Sequence, residues 1–93
     1  MPNPAIYKLA CNRLKLKSDA VVFVGDGGSD ELRGAAACGL KPIWATWFIE
    51  AWHWDWRKKV VERSNTFPRC RSIADLPALI DCINRYRFDY KGE

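Results

Sequence analysis

The apolar positions along this chain change spacing several times, and each change marks a boundary between elements. Ile6, Leu9, Ala10 and Leu14 recur at helical intervals behind Asn3-Pro4, a cap residue followed by a favoured first helical residue. A helix of about three turns is predicted there. Past the basic connector Lys15-Leu16-Lys17-Ser18, the run Ala20-Val21-Val22-Phe23-Val24 is apolar without alternation and rich in β-branched side chains. That pattern predicts a central parallel strand covered on both faces.

Gly25 to Gly28 can continue neither element, and Ser29 or Asp30 can cap a helix running from Asp30 to Cys38 and ended by Gly39. Small residues at 34 to 37 would let that helix lie close to a sheet. Pro42 to Trp47 reads as the next strand, so strand, loop, helix and strand form a βαβ unit with the usual right-handed crossover. From Phe48 to Val61 the reading is a helix or an ordered loop, with Phe48, Ile49, Trp52 and Trp56 able to share one helical face. Thr66-Phe67 and Cys70 suggest a short edge strand. Asp75 then caps a helix carrying Leu76, Leu79, Ile80 and Ile83, and residues 87–93 form a charged, frayed tail. The class is α/β: one incomplete domain over residues 1–93, Rossmann-like and three-layered (α/β/α), with a parallel half-sheet.

Composition agrees with a globular domain. Nearly half of the 93 residues are apolar, so the chain can build a small core, although a chain of this size buries only about two-thirds of its unfolded surface. Lys and Arg outnumber Asp and Glu by 15 to 11, a surplus spread along the chain that points away from a dedicated nucleic-acid module. Cys11, Cys38, Cys70 and Cys82 form no CxxC pair and His53 is the lone histidine, which argues against a zinc site and for buried free thiols in a reducing compartment. No apolar run approaches the roughly 18 residues that span a bilayer, and the first residues lack the apolar core of a secretory signal. The cytosol is the expected location.

Chemistry concentrates in Val21 to Ala35, VVFVGDGGSDELRGA. A strand ending in Gly-Asp delivers its carboxylate to the carboxyl edge of a parallel sheet, where open α/β folds bind ligands. The glycines permit a tight turn, and a helix beginning near Asp30 would aim free N–H groups at the same space. Mg²⁺ takes oxygen ligands from one or two carboxylates plus substrate phosphate and water. Asp26 is therefore the first candidate ligand; Asp30 could coordinate, accept from a bound water or cap the helix. Read as pattern alone, the same residues also describe an ordinary turn with a helix cap.

FVGDGGSDELRGAAACGL resembles the fourth motif of the haloacid dehalogenase (HAD) superfamily, phosphatases and relatives that use an aspartyl nucleophile. PNPAIYKLAC is similar to the helix carrying that family's third motif, and SIADLPALI to its closing helix. The resemblance implies a Mg²⁺-dependent hydrolase of phosphorylated small molecules. It makes Asp26 a metal ligand and Asp30 a second ligand or the group that orients the first, with Gly25, Gly27, Gly28 and Ser29 shaping the loop around metal and phosphate. The family's third-motif lysine falls at Met1, and its nucleophile and acid/base aspartates belong to an earlier segment. Asp19, Glu31, Glu50 and Asp55 have no partner that spacing identifies, so none is a substitute. The expectation is the carboxyl-terminal part of a hydrolase, inactive alone, because acid/base assistance by itself typically contributes about a hundredfold to ten-thousandfold.

The missing neighbour would leave the Ala20 to Val24 strand with an open edge, so self-association through that edge is expected. An alternative reading is a non-catalytic interaction module that completes its sheet with a partner. Its best feature is the group Trp44, Trp47, Trp52, Trp54 and Trp56, against which stands simple core packing. A weaker alternative, single-stranded nucleic acid, rests on Trp54, Trp56, Arg57, Lys58 and Lys59.

Overall fold

In the computed structural model, which describes residues 3–86, the chain forms three parallel strands sandwiched between helices. Helix α1 spans Pro4–Leu14, strand β1 Val22–Gly25, helix α2 Glu31–Ala37, strand β2 Lys41–Ala45, helix α3 Trp54–Ser64, strand β3 Arg69–Cys70 and helix α4 Leu76–Tyr86. The sheet order is β1-β2-β3, with Val22 opposite Lys41, Gly25 opposite Trp44, and Trp44 opposite Arg69. This is the partial Rossmann-like α/β arrangement expected from the periodicities. The tail expected over 87–93, and Met1, lie outside the described residues.

Strand β2 holds the centre. Pro42, Ile43 and Trp44 are all buried. A proline is tolerated there because Trp44 and Thr46 donate to the carbonyls of Pro68 and Cys70, while Pro42, on the same side of β2, lies before β3 begins and forfeits no ladder bond. Ile43, Cys70 and Ile83 pack α4 on one face of the sheet. On the other face Leu32, Ala36, Trp44, Ile49, Val60 and Phe67 join α2 and α3 to β2. Tyr7, Val21, Ala35 and Leu40 anchor α1 beside them.

Several expectations need correction. Strand β1 has the open edge expected of it, pairing among the described residues with β2 alone, but it is not the strand covered on both faces that its apolar run suggested, since Val24 is exposed. Both faces of its sequence are apolar, but only one side has a neighbour. Helix α1 forms as predicted, with Asn3 Oδ1 accepting from the Ala5 N–H at 2.9 Å, yet it is rotated from the expected face. Tyr7 is 3% exposed while Ile6 is 62% and Leu14 56% exposed. The Tyr7 ring meets Phe23 edge-on at 5.6 Å and its hydroxyl donates to the Glu31 carbonyl at 2.8 Å. A ring with a satisfied polar tip outcompetes the aliphatic stripe for the core. Gly34 makes room for it, since a β-carbon at 34 would lie 2.6 Å from the hydroxyl oxygen.

The segment after β2 is not one helix with a shared aromatic face. Ile49–Ala51 is a 3₁₀ turn, Trp52 is extended, and α3 starts only at Trp54, with His53 Nδ1 accepting from the Asp55 N–H at 3.4 Å. The tryptophans divide accordingly: Trp44 is buried, Trp47 and Trp52 half-buried, Trp54 and Trp56 exposed. Lys58 stacks over Trp54 and Arg63 over Trp56, so the chain's own cations cover those rings. Ahead of α4, Ser72 rather than Asp75 supplies the side-chain cap, accepting from the Ala74 N–H in the turn Ile73–Asp75. All four cysteines are free thiols; Cys70 is buried, whereas Cys82 is exposed. Among the described residues no helix is long and apolar enough to cross a membrane.

Candidate functional site

Asp26 follows the last residue of β1 and stands exposed at the carboxyl edge of the sheet. Two contacts hold it. Its Oδ1 accepts from the Gly28 N–H at 2.8 Å, closing a tight turn, and its backbone carbonyl accepts from the Trp44 indole N–H at 3.1 Å. The second bond ties the loop directly to the buried tryptophan of β2. Its other carboxylate oxygen has no hydrogen bond among the described residues.

Gly27 turns the chain at φ +84°, and a β-carbon there would lie 2.7 Å from Ser64 Oγ and 3.0 Å from Val60. Only glycine satisfies both the left-handed backbone and this approach to α3. The loop therefore rests on α3. From that helix Arg63 Nη2 donates to the carbonyls of Gly27 at 2.8 Å and Gly28 at 3.0 Å, while its Nε lies 3.7 Å from Asp30 Oδ1. Trp56 backs the guanidinium at 5.3 Å.

Asp30 differs from its expected capping role. It occupies the position before α2 at φ 61°, a left-handed conformation that aspartate tolerates, and its side chain makes no capping bond. The carboxylate, only 13% exposed, instead accepts from Arg33 Nε at 2.8 and 2.9 Å and pairs with Arg33 Nη2. The Arg33 hydrogen bonds lower the Asp30 pKa, and the Arg33 and Arg63 charges add to this against an opposing effect of burial. Because the native value lies below the unfolded one of about 3.9, the unfolded chain takes up the proton first as pH falls. Stability from this group is thus complete above about pH 4 and is lost as pH drops through the lowered native value. Urea midpoints measured across that range are expected to fall less steeply for Asp30→Asn than for the parent.

The loop's own N–H groups are engaged, while the side chain of Asp30 caps none of those in the first turn of α2. The Gly28 N–H is taken by Asp26, the Ser29 N–H by Glu31 Oε1 at 3.4 Å, and the Asp30 N–H by the Gly27 carbonyl at 3.2 Å. A loop this tight folds its donors onto its own acceptors. Gly25 closes β1, Gly27 is buried against α3, and Ser29 is exposed.

The structure thus brings Asp26 and Asp30 to one loop but gives them different surroundings, one open and one enclosed by arginines. Among the described residues no group of three or more His, Cys, Asp or Glu side chains could hold a metal. The donor set still suits Mg²⁺: Asp26 offers hard oxygen, and this ion is commonly held by one or two carboxylates with water and phosphate completing the shell. Beside Asp26 a cleft of about 240 Å³ is lined by Val24, Ala45, Trp47, Phe48, Ile49 and Trp52.

Sequence reasoning missed Trp44 and Arg63. Arg33 had a signal, since it stands three positions after Asp30 in the first turn of α2. Arg63 had none, because its contacts are long-range.

Residues 1–46 match the family model described as HAD-hydrolase-like. That match runs from α1 through β2 and includes the whole Asp26 to Asp30 loop; it supports the HAD superfamily and suggests a hydrolase of the phosphatase kind. No curated protein and no solved structure matches the chain.

Proposed function

We propose that this chain supplies the metal corner of a Mg²⁺-dependent HAD-like phosphatase, with Asp26 as the ligand and Asp30 as the residue that positions the loop. The observation that carries the reading is the asymmetry of the two carboxylates. Asp26 is exposed with an oxygen to spare, and Asp30 is enclosed by Arg33 and Arg63. A carboxylate already neutralised by two guanidinium groups has little to offer a cation, whereas it can brace the backbone that presents Asp26.

When bound, Mg²⁺ would neutralise charge on a phosphate and orient it. The protein's own contribution is to aim the Asp26 carboxylate out of the sheet edge through the Gly28 and Trp44 bonds. The organic part of the ester would lie in the cleft formed by Trp47, Phe48 and Trp52. The backbone donors of residues 28–30 are spent within the loop and are not open to a phosphate.

These 93 residues contain no Asp-x-Asp pair, so a nucleophile and an acid/base pair of the family's kind would have to come from a segment outside them or from another chain. Alone, the chain is expected to turn over no phosphate ester. The test uses Mn²⁺ as a paramagnetic stand-in for Mg²⁺. Amide signals of residues 25–31 should broaden in the parent and in Asp30→Asn, and stay sharp in Asp26→Asn. Broadening that ignores Asp26→Asn would remove Asp26 from the role, and Asp26-dependent hydrolysis of an aryl phosphate would overturn the inactivity.

The second reading, a non-catalytic module of the same fold, is favoured by one feature, the open side of β1.

A further inference from the structure

The cleft of about 240 Å³ opens where β1 and β2 end, with Asp26 in its wall. Most of the rest comes from Ala45, the last residue of β2, and from Trp47, Phe48, Ile49 and Trp52 in the segment that follows. Its aromatic wall therefore belongs to β2 and its sequel, not to the open side of β1. The two tryptophans are seated from opposite faces of the sheet. Trp47 packs against Ile43, Cys70 and Ile83 on the α4 face, and Trp52 against the cluster of Leu32, Trp44 and Val60 on the other. Both are held by the core and yet remain partly exposed. Phe48 stands close to them in the chain and is 72% exposed, so the core does not account for its ring.

Apart from Asp26, the side chains lining the cleft offer no hydroxyl, amide, carboxylate or cation; their only other polar atoms are the two indole N–H groups. A sugar or polyol placed there would surrender water from its hydroxyls with few side-chain partners to replace it. A flat ring would instead meet three aromatic side chains, and ring–ring contacts are favourable beyond the area they cover. It also has few rotors to immobilise, unlike an alkyl chain. Size agrees with this chemistry: a cavity of about 150 Å³ accepts benzene, so the cleft has room for one ring and the carbon that links it to a phosphate.

We propose that the alcohol half of the phosphate ester is a small aromatic one, its ring seated among Trp47, Phe48 and Trp52 while its phosphate reaches the metal at Asp26. This substrate class rests on the reading of Asp26 as the metal ligand. The seat for the ring needs neither metal nor phosphate, so it can be tested by itself.

The probes are benzyl alcohol, its saturated counterpart cyclohexylmethanol, and glycerol, each titrated into the ¹⁵N-labelled 93-residue chain with no metal present. Benzyl alcohol is expected to shift the indole N–H signals of Trp47 and Trp52 saturably in the millimolar range, about fivefold more tightly than cyclohexylmethanol. Glycerol should move neither signal. Phe48→Ser, at an exposed position, should weaken benzyl alcohol binding about fivefold, and Phe48→Tyr should retain it; circular dichroism verifies that both variants are folded. Equal affinity for the aromatic and saturated rings, equal shifts with glycerol, shifts at Trp54 and Trp56 in place of Trp47 and Trp52, or binding indifferent to Phe48→Ser would each overturn the proposal. Failure of Asp26 as the metal ligand would show in the Mn²⁺ broadening instead and leave these titrations unchanged.

Discussion

Replacing Trp44 with alanine is expected to lower the unfolding free energy by about 3–5 kcal/mol, a large share of the stability of a domain of this size. The ring is 2% exposed on the central strand and packs among Leu32, Ala36, Ile49, Val60 and Phe67. Truncation would remove most of a large apolar surface and leave a cavity between α2, α3 and the sheet. It would also release the Arg69 guanidinium, stacked 5.1 Å from the ring, and strip the Asp26 carbonyl of its indole donor. Trp44→Phe separates these effects. It retains much of the packing but not the N–H, so the loss attributable to the loop bond is about 1 kcal/mol. Urea titrations followed by circular dichroism, at one protein concentration, give both numbers. A Trp44→Ala midpoint close to the parent's would mean that the ring does not hold the core.

The second large effect is expected at Arg63. Arg63→Ala removes the donor to the Gly27 and Gly28 carbonyls, the cation beside Asp30 and the stack on Trp56. Hydrogen bonds to a charged group are worth about 1.5–3 kcal/mol, and the guanidinium is partly exposed, so a loss of about 2 kcal/mol is expected. The distinguishing readout is local. Amide exchange at residues 28–30 should accelerate beyond the amount that global destabilisation explains, because the loop loses its brace to α3. Arg63→Lys should restore only part of the protection: one ammonium cannot reproduce the planar fork that meets two carbonyls and a carboxylate. Exchange rising uniformly through the sheet would instead make Arg63 an ordinary packing residue.

Together these two substitutions describe how the candidate ligand is aimed. Asp26 itself makes one short turn bond, which any Asp-x-Gly loop can form. Its direction relative to the sheet comes from Trp44 below and Arg63 beside it, on β2 and α3. The five-residue loop 26–30 between strand and helix would otherwise sample many conformations.

How far the sequence carried can be followed through individual residues. The uninterrupted apolar run into Val24, the Gly-Asp turn and the small-residue helix were legible because each depends on chemistry within a few positions, and they place the Asp26 to Asp30 loop at the carboxyl edge of a parallel sheet. Of the roles open to Asp30, side-chain capping is not taken up because a nearer guanidinium, Arg33, outcompetes the helix N–H groups for the carboxylate. The aromatic segment, read as a helix or an ordered loop, divides into a turn and a helix because Trp52 is extended at a point where periodicity alone permits a continuous helix.

What the sequence determined by itself was the α/β class, the order of the elements and the identity of the acidic loop, since helix periodicity, strand composition and turn residues are local properties of the chain. Only the tertiary structure decided that Tyr7 rather than Ile6 enters the core, that Asp26 is open while Asp30 is enclosed, and that Arg63 braces the loop. An apolar residue records a preference for burial without recording its neighbour, and a charged one records its sign without its partner. Both are chosen when distant segments compete for the same space.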